Sequence, residues 1–176
     1  MKKVICISGK AQHGKDTTAS MLKAVLENRG NSVLILHYAD LLKYLCKQYF
    51  GWNGEKDDTG RALLQHIGTD VVRTKNPTYW VDFAVGFLKL FENEWDYILI
   101  PDCRFPNELN VIETHFDYVH VRVARTNFDS PLSIEQQNHP SETSLDNYSY
   151  DELIMNNGTI SDLGRAVIEL AHKIDN

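Results

Sequence analysis

Uninterrupted apolar runs alternate along the chain with stretches in which apolar residues recur every three or four positions. Val4-Ile5-Cys6-Ile7-Ser8 is the first run. After it, Met21, Leu22, Val25 and Leu26 share one face of a helix that Gly30 can terminate. Val33-Leu34-Ile35-Leu36 fits a strand buried on both faces. Strand, helix, strand is the start of a parallel sheet. Asp40 to Phe50 reads as a second helix, with Leu41, Leu42, Leu45 and Cys46 as its apolar face, and Gly51 to Gly60 as a polar loop. From Arg61, Leu63, Leu64, Ile67 and Val71 recur at helical spacing, and Tyr79 to Phe91 repeats the pattern with Trp80, Phe83, Phe87 and Leu88.

Asp96 to Ile100 is a third strand, followed by a short helix through Val111 and Ile112. Tyr118 to Val123 has the period-two, β-branched pattern of a fourth. From Arg125 to about Ser141 no apolar periodicity remains, as expected of a disordered stretch or a functional lid. Glu152-Leu153-Ile154-Met155 is a fifth strand. A closing helix over Ser161 to Ile174 turns Leu163, Val167, Leu170 and Ile174 inward, with Thr159 or Ser161 as its cap.

Chemistry concentrates between the first strand and the first helix, in Gly9-Lys10-Ala11-Gln12-His13-Gly14-Lys15-Asp16-Thr17. A buried strand, a glycine-framed loop and a Lys opening a helix form a phosphate-binding P-loop. Its backbone N–H groups must point inward at a polyphosphate, so glycines stand where a Cβ would obstruct the curve. The helix N-terminus adds partial positive charge, and the Lys15 ammonium adds a full one at the β- and γ-phosphates. This makes a nucleoside triphosphate site. The usual hydroxyl residue directly after the Lys is replaced by Asp16, with Thr17 next. Either Asp16 or Thr17 is the metal ligand on this side.

The remaining chain properties narrow the partners. A chain of 176 residues suits one domain, and a net charge of −6 argues against gripping long nucleic acid through many phosphates. No segment reaches the length of a membrane span, and Met1-Lys2-Lys3 runs straight into the first strand, so a cytosolic protein is expected. Cys6, Cys46 and Cys103 are too scattered for a metal knuckle or a redox pair.

The second substrate must be sought beyond the P-loop. Pro101-Asp102-Cys103-Arg104 ends the third strand, where ligands bind in open α/β sheets. Asp102 is placed to meet Mg²⁺ or orient an attacking oxygen, and Arg104 to hold an acceptor phosphate or neutralise the transferring group. Arg125, after the fourth strand, could reach ATP phosphates or stack on adenine. Asp40 and Lys43 either border the expected acceptor site or form a local ion pair; Arg73 and Gln65 either bind acceptor phosphate and base or are solvated helix residues; and Trp80, with Phe83, is either core or a base-stacking platform. His139 and Glu142 fit a hinge or anchor for the lid.

These residues carry a resemblance. The P-loop with Asp after its Lys, Asp102-x-Arg104-Phe105-Pro106-Asn107-Glu108 and His139-Pro140-Ser141-Glu142 together resemble the phage-type deoxynucleoside monophosphate kinases. Arg61-x-x-Leu64-Gln65-x-x-Gly68-Thr69, Arg73, Trp80 and Asn156-Asn157-Gly158-Thr159 look like the same family. The resemblance implies a three-layer α/β P-loop kinase fold in one domain, with a five-stranded parallel sheet. Its core would be 1–50, 94–124 and 146–176, with a helical monophosphate-binding insertion at about 51–93 and a lid at about 125–145. It further implies transfer of the γ-phosphate of ATP, with Mg²⁺, to a deoxynucleoside 5′-monophosphate, and a homodimer. Lys15, Arg104 and Arg125 would then surround the transferred group with the metal. Animal phosphomevalonate kinases look similar around the P-loop, so a different phosphorylated acceptor stays open, as does a nucleotide-binding module without transfer.

Overall fold

The structure is a computed structural model that describes residues 1, 3–126 and 128–175. Five parallel strands run in the order β2-β3-β1-β4-β5, with β1 (Lys3–Ser8) in the centre, β2 at Val33–Ile35, β3 at Tyr97–Cys103, β4 at Tyr118–Ala124 and β5 at Glu152–Met155. The alternation of β1 explains why it must be central. Val4 and Cys6 enter one core and Ile5 and Ile7 the other, all fully buried.

On one face lie α1 (Lys15–Asn28) and α8 (Ile160–Ile174), which bury Leu22, Leu26, Leu163, Val167, Leu170 and Ile174. Thr159 begins α8 as the cap, its hydroxyl accepting the Asp162 N–H at 3.3 Å. On the other face lie α2 (Ala39–Tyr49), α4 (Tyr79–Leu90) and α5 (Pro106–His115), around Leu42, Cys46, Trp80, Val85, Leu88, Leu109 and Ile112. Helices cover both faces, so the domain has the three-layer α/β form. Among the described residues no helix is long and apolar enough to cross a membrane.

Four features differ from the sequence pattern. The helix expected from Arg61 starts at Asp58, because Asp57 caps it through the Gly60 N–H at 2.7 Å; this helix, α3 (Asp58–Gln65), continues into a π-helical segment, His66–Arg73. Phe83 was expected inside, yet it is 54 % exposed, because Val81, Ala84 and Val85 fill the inward face of α4. β3 runs past Ile100 through Pro101-Asp102-Cys103; its register against β1 shifts between Cys6 and Ser8, which absorbs the proline. The stretch without periodicity contains two short helices, α6 (Ile134–Asn138) and α7 (Pro140–Thr143), each fastened by local caps at Ser133 and His139 rather than by an apolar stripe.

Candidate functional site

The loop between β1 and α1 is held in a conformation few sequences permit. Gly9 has φ 147°, and a Cβ there would lie 2.2 Å from the Val123 carbonyl oxygen of β4. Gly14, at φ 99°, is the N-cap of α1. Between them Gln12 is left-handed at φ 60°, strain of the kind that collects at ligand-binding turns. The Asn156 amide after β5 donates to the His13 carbonyl at 3.0 Å and steadies the loop from behind.

Lys15, the first residue of α1, is 6 % exposed and donates to the Lys10 carbonyl at 2.8 Å. Burial, then the neighbouring charge of Arg104, pushes its pKa down to about 7. Two cations pressed together in a half-closed site favour an anion between them, which would restore the ammonium.

Both line a cavity of about 470 Å³ at the carboxyl ends of β1 and β3. The loop contributes Ala11, Gln12, Lys15 and Asp16; the segment after β2 contributes His37 and Lys43; the helical insertion contributes Gln65, Thr69, Arg73 and Trp80. Asp102, Arg104 and Glu142 also line the cavity. Residues more than a hundred positions apart thus meet where the strand order reverses around β1, the usual ligand crevice of such sheets.

Several expected residues are engaged by the fold itself, Asp102 and Arg125 against the sequence reading, and Asp40 with Lys43 and Trp80 along the ion-pair and core alternatives it left open. Asp102 does not stand free: its two oxygens accept the Tyr38 and Ala39 N–H groups at 3.0 and 2.9 Å and so cap α2. Arg125 does not join Lys15 and Arg104. It is not among the residues lining that cavity; its backbone N–H meets the His13 ring at 3.2 Å and its guanidinium lies 4.5 Å from the Phe128 ring centre. Thr17 is on the exposed side of α1, outside the cavity wall, whereas Asp16 faces the cavity and accepts from His37 at 3.0 Å. This contact lowers the Asp16 carboxyl below the usual range and raises His37. Asp40 sits outside the wall, paired with Lys43 at 2.9 Å. Trp80 gives its indole N–H to the Gly68 carbonyl at 3.0 Å, so it builds the wall from the core side.

Arg73 is clamped rather than free. Its guanidinium pairs with Glu108, donates to the Pro77 carbonyl at 3.2 Å and lies 4.1 Å above the Phe105 ring. Glu108, 1 % exposed, also accepts the Arg104 and Phe105 N–H groups at 2.6 and 3.0 Å. Sequence reasoning assigned no role to Glu108 or His37. The signal for His37 was its place just beyond a buried strand; that for Glu108 was its place three residues into a helix, where a carboxylate reaches back to cap.

For a metal, the fit is one-sided. Among the described residues no group of three or more His, Cys, Asp and Glu side chains could hold an ion. Mg²⁺ needs no such cage, since one carboxylate plus substrate phosphates and water suffice, and Asp16 at the mouth beside Lys15 meets that requirement.

A parallel five-stranded sheet with a P-loop after its central strand defines the P-loop kinase fold, and the solved structures agree. APS kinase CysC of Mycobacterium tuberculosis, solved in complex with AMPPNP and APS, matches with a TM-score of 0.58 at 13 % identity over 97 % of this chain and 98 % of that one. Shikimate kinase of Aquifex aeolicus matches with a TM-score of 0.52 at 12 % identity over 97 % and 96 %. At such identities the likeness is one of fold. Within that class the family is defined more closely: residues 35–167 match the deoxynucleotide monophosphate kinase family, and the chain belongs to it. The deoxynucleotide monophosphate kinase of Enterobacteria phage T4 is 30 % identical over 105 residues, 58 % of this chain and 41 % of that protein. The chain thus spans about two fifths of the length of this curated relative. The family match begins beyond the P-loop, so the loop's geometry is separate support.

Proposed function

We propose that the protein transfers the γ-phosphate of ATP to a deoxynucleoside 5′-monophosphate, giving the diphosphate and ADP. The observation that carries this reading is the meeting of Lys15 and Arg104 on one cavity wall, across the mouths of two adjacent strands. The P-loop amides hold the triphosphate and Lys15 neutralises its β- and γ-oxygens. Asp16 would hold Mg²⁺, which would supply charge neutralisation for the triphosphate. Arg104 faces the transferred group and the acceptor phosphate.

An oxygen of the acceptor phosphate attacks the γ-phosphorus as the bond to the β–γ bridging oxygen breaks, and ADP leaves with that electron pair. The attacking oxygen is already anionic at neutral pH, so no general base is required. That accords with Asp102 being committed to α2. Catalysis then reduces to positioning and charge neutralisation. In this reading residues 51–93 hold the acceptor, with Gln65 and Thr69 toward its base and Arg73 near its phosphate, and residues 125–145 are the lid. Arg125 belongs to the adenine side of the donor. The setting is the cytosol, where both nucleotides are found.

Coupled ADP release, measured with ATP and Mg²⁺ over all common dNMPs and NMPs and with phosphomevalonate as a control acceptor, tests the reading. Turnover with at least one dNMP is expected. Lys15→Met keeps the buried stem and removes the charge, so it should abolish turnover with an unchanged circular dichroism spectrum. Near-normal turnover in that variant would refute the assignment.

A further inference from the structure

Glu142 stands where a P-loop would meet a phosphoryl oxygen. Its Oε2 accepts the Ala11 N–H at 2.8 Å and its Oε1 accepts from the Arg104 guanidinium at 2.6 Å. The same guanidinium nitrogen donates to the Ser141 carbonyl at 3.2 Å. Only 8 % of the Glu142 side chain is exposed, and its charge acts favourably on the Lys15 ammonium. A loop amide, a guanidinium and a buried ammonium are the donors that bind a phosphate, and a carboxylate offers them the same charge and acceptor geometry.

The segment that carries Glu142 is fixed at both ends. The His139 ring accepts the Ser141 N–H at 3.2 Å and starts α7. Beyond α7, Asp146 pairs with Lys10 of the loop at 3.0 Å and with Arg122 at 3.1 Å. The carboxylate is thus delivered to the P-loop by a short braced arm. A backbone N–H has one hydrogen, so Ala11 cannot serve Glu142 and a phosphate oxygen fully at once.

We propose that Glu142 is a built-in phosphate surrogate, competing with the nucleotide's phosphoryl oxygens for Ala11 and Arg104. This rests on reading the cavity as the triphosphate site. Arrival of the phosphates displaces the carboxylate, hands Arg104 to the substrate and loosens 139–145 from the loop. Departure of product lets the carboxylate return, which assists release. The contact thereby lowers the affinity for polyphosphate and makes lid position a function of occupancy.

Inorganic tripolyphosphate is the probe, since it carries the charge without the base. Its affinity for the wild-type chain, Glu142→Ala and Glu142→Asp is measured by calorimetry. Losing one charge-assisted contact to a competitor should tighten binding about tenfold in both variants. Asp keeps the charge but is one methylene too short to reach Ala11, so its tightening separates displacement of a contact from mere repulsion. Amide exchange over 139–145 in the wild-type chain should accelerate on adding tripolyphosphate. Unchanged or weaker binding in both variants, tightening in Ala alone, or slowed exchange would each overturn the surrogate role. Wild-type binding and turnover without tightening would sink this inference alone. Absence of tripolyphosphate and ATP binding in all three chains would sink the triphosphate site with it.

Discussion

Replacing Glu108 by alanine would empty the most enclosed charged position of the described chain and strand three donors at once. The Arg104 and Phe105 N–H groups lose their shared acceptor, and the Arg73 guanidinium, with its side chain 12 % exposed, loses its counter-ion. Burial pushes the Glu108 carboxyl above its ordinary pKa, against the pull of Arg73 and the two amides. The intact pair is therefore no large net source of stability, but half of it is costly. Removing one partner of a buried pair typically costs about 3–5 kcal/mol. In a domain of this size each kcal/mol moves the melting temperature by about 2–4 °C, so Glu108→Ala should melt about 6 to 20 °C lower. The double variant Glu108→Gln with Arg73→Met keeps an oxygen for the two amides and removes the orphaned cation. Replacing such pairs by apolar groups is often near neutral, so it should recover at least half the loss. Urea unfolding of the set, followed by circular dichroism, measures both quantities. A cost below about 1 kcal/mol for Glu108→Ala would show that this carboxylate does not hold the junction between β3, α5 and the insertion.

Two further outcomes follow from other parts of the fold. Gly9→Ala places a Cβ against the Val123 carbonyl in a left-handed position, and should cost about 2–4 kcal/mol in the same unfolding assay; a loss under about 0.5 kcal/mol would mean that the loop relaxes freely. His120, 2 % exposed, hands its Nδ1 hydrogen to the Ser149 carbonyl and accepts the Ser8 hydroxyl at Nε2, both at 2.7 Å, and burial lowers its pKa. A group that refuses its proton in the fold contributes no pH dependence above the unfolded value near 6.5, and loses stability as pH falls below it. His13 shares that sign and His37 has the opposite one, so the difference between wild type and His120→Gln isolates the site. The variant should be destabilised by about 1–3 kcal/mol at pH 8 and show a shallower decline in melting temperature between pH 6.5 and 5; an unchanged acid slope would refute the buried neutral ring.

What could be read from the chain divides by range. The β1–loop–α1 unit was legible because its signals are contiguous: an apolar run, two glycines and a Lys. The closing helix was equally plain, since Leu163, Val167, Leu170 and Ile174 repeat over its whole length and Thr159 caps it. Partners remote in sequence were not. Nothing near Asp102 says that its oxygens belong to amides 63 and 64 positions earlier, and nothing near Arg125 says that its N–H will meet the His13 ring rather than the cavity. Phe83 misled because periodicity alone cannot rank two adjacent faces of a helix as apolar as α4. Helices α6 and α7 left no periodic trace, because capping rather than burial defines them.

The run from Asp102 to Glu108 explains why such dense sequence signals arise. Each of its polar side chains fastens a different remote segment: Asp102 holds α2, Asn107 the Pro77 carbonyl before α4 at 2.7 Å, Glu108 the Arg73 end of the π-helical segment, and Arg104 the Glu142 arm. Spacing within the run is therefore set by where four other segments approach the mouth of β3, and an insertion of one residue would put attachments on its two sides out of register. The attachments differ in permanence. Glu108 and Asp102 accept from backbone amides held in place by the fold, whereas the Arg104 side chain is more exposed, at 25 %, and meets a carboxylate on a short helix. Under the proposed transfer, a wall held in place before the substrate arrives and an arginine whose partner can be exchanged are what the site needs, because the wall must pre-exist the substrate while the charge must follow the phosphoryl group.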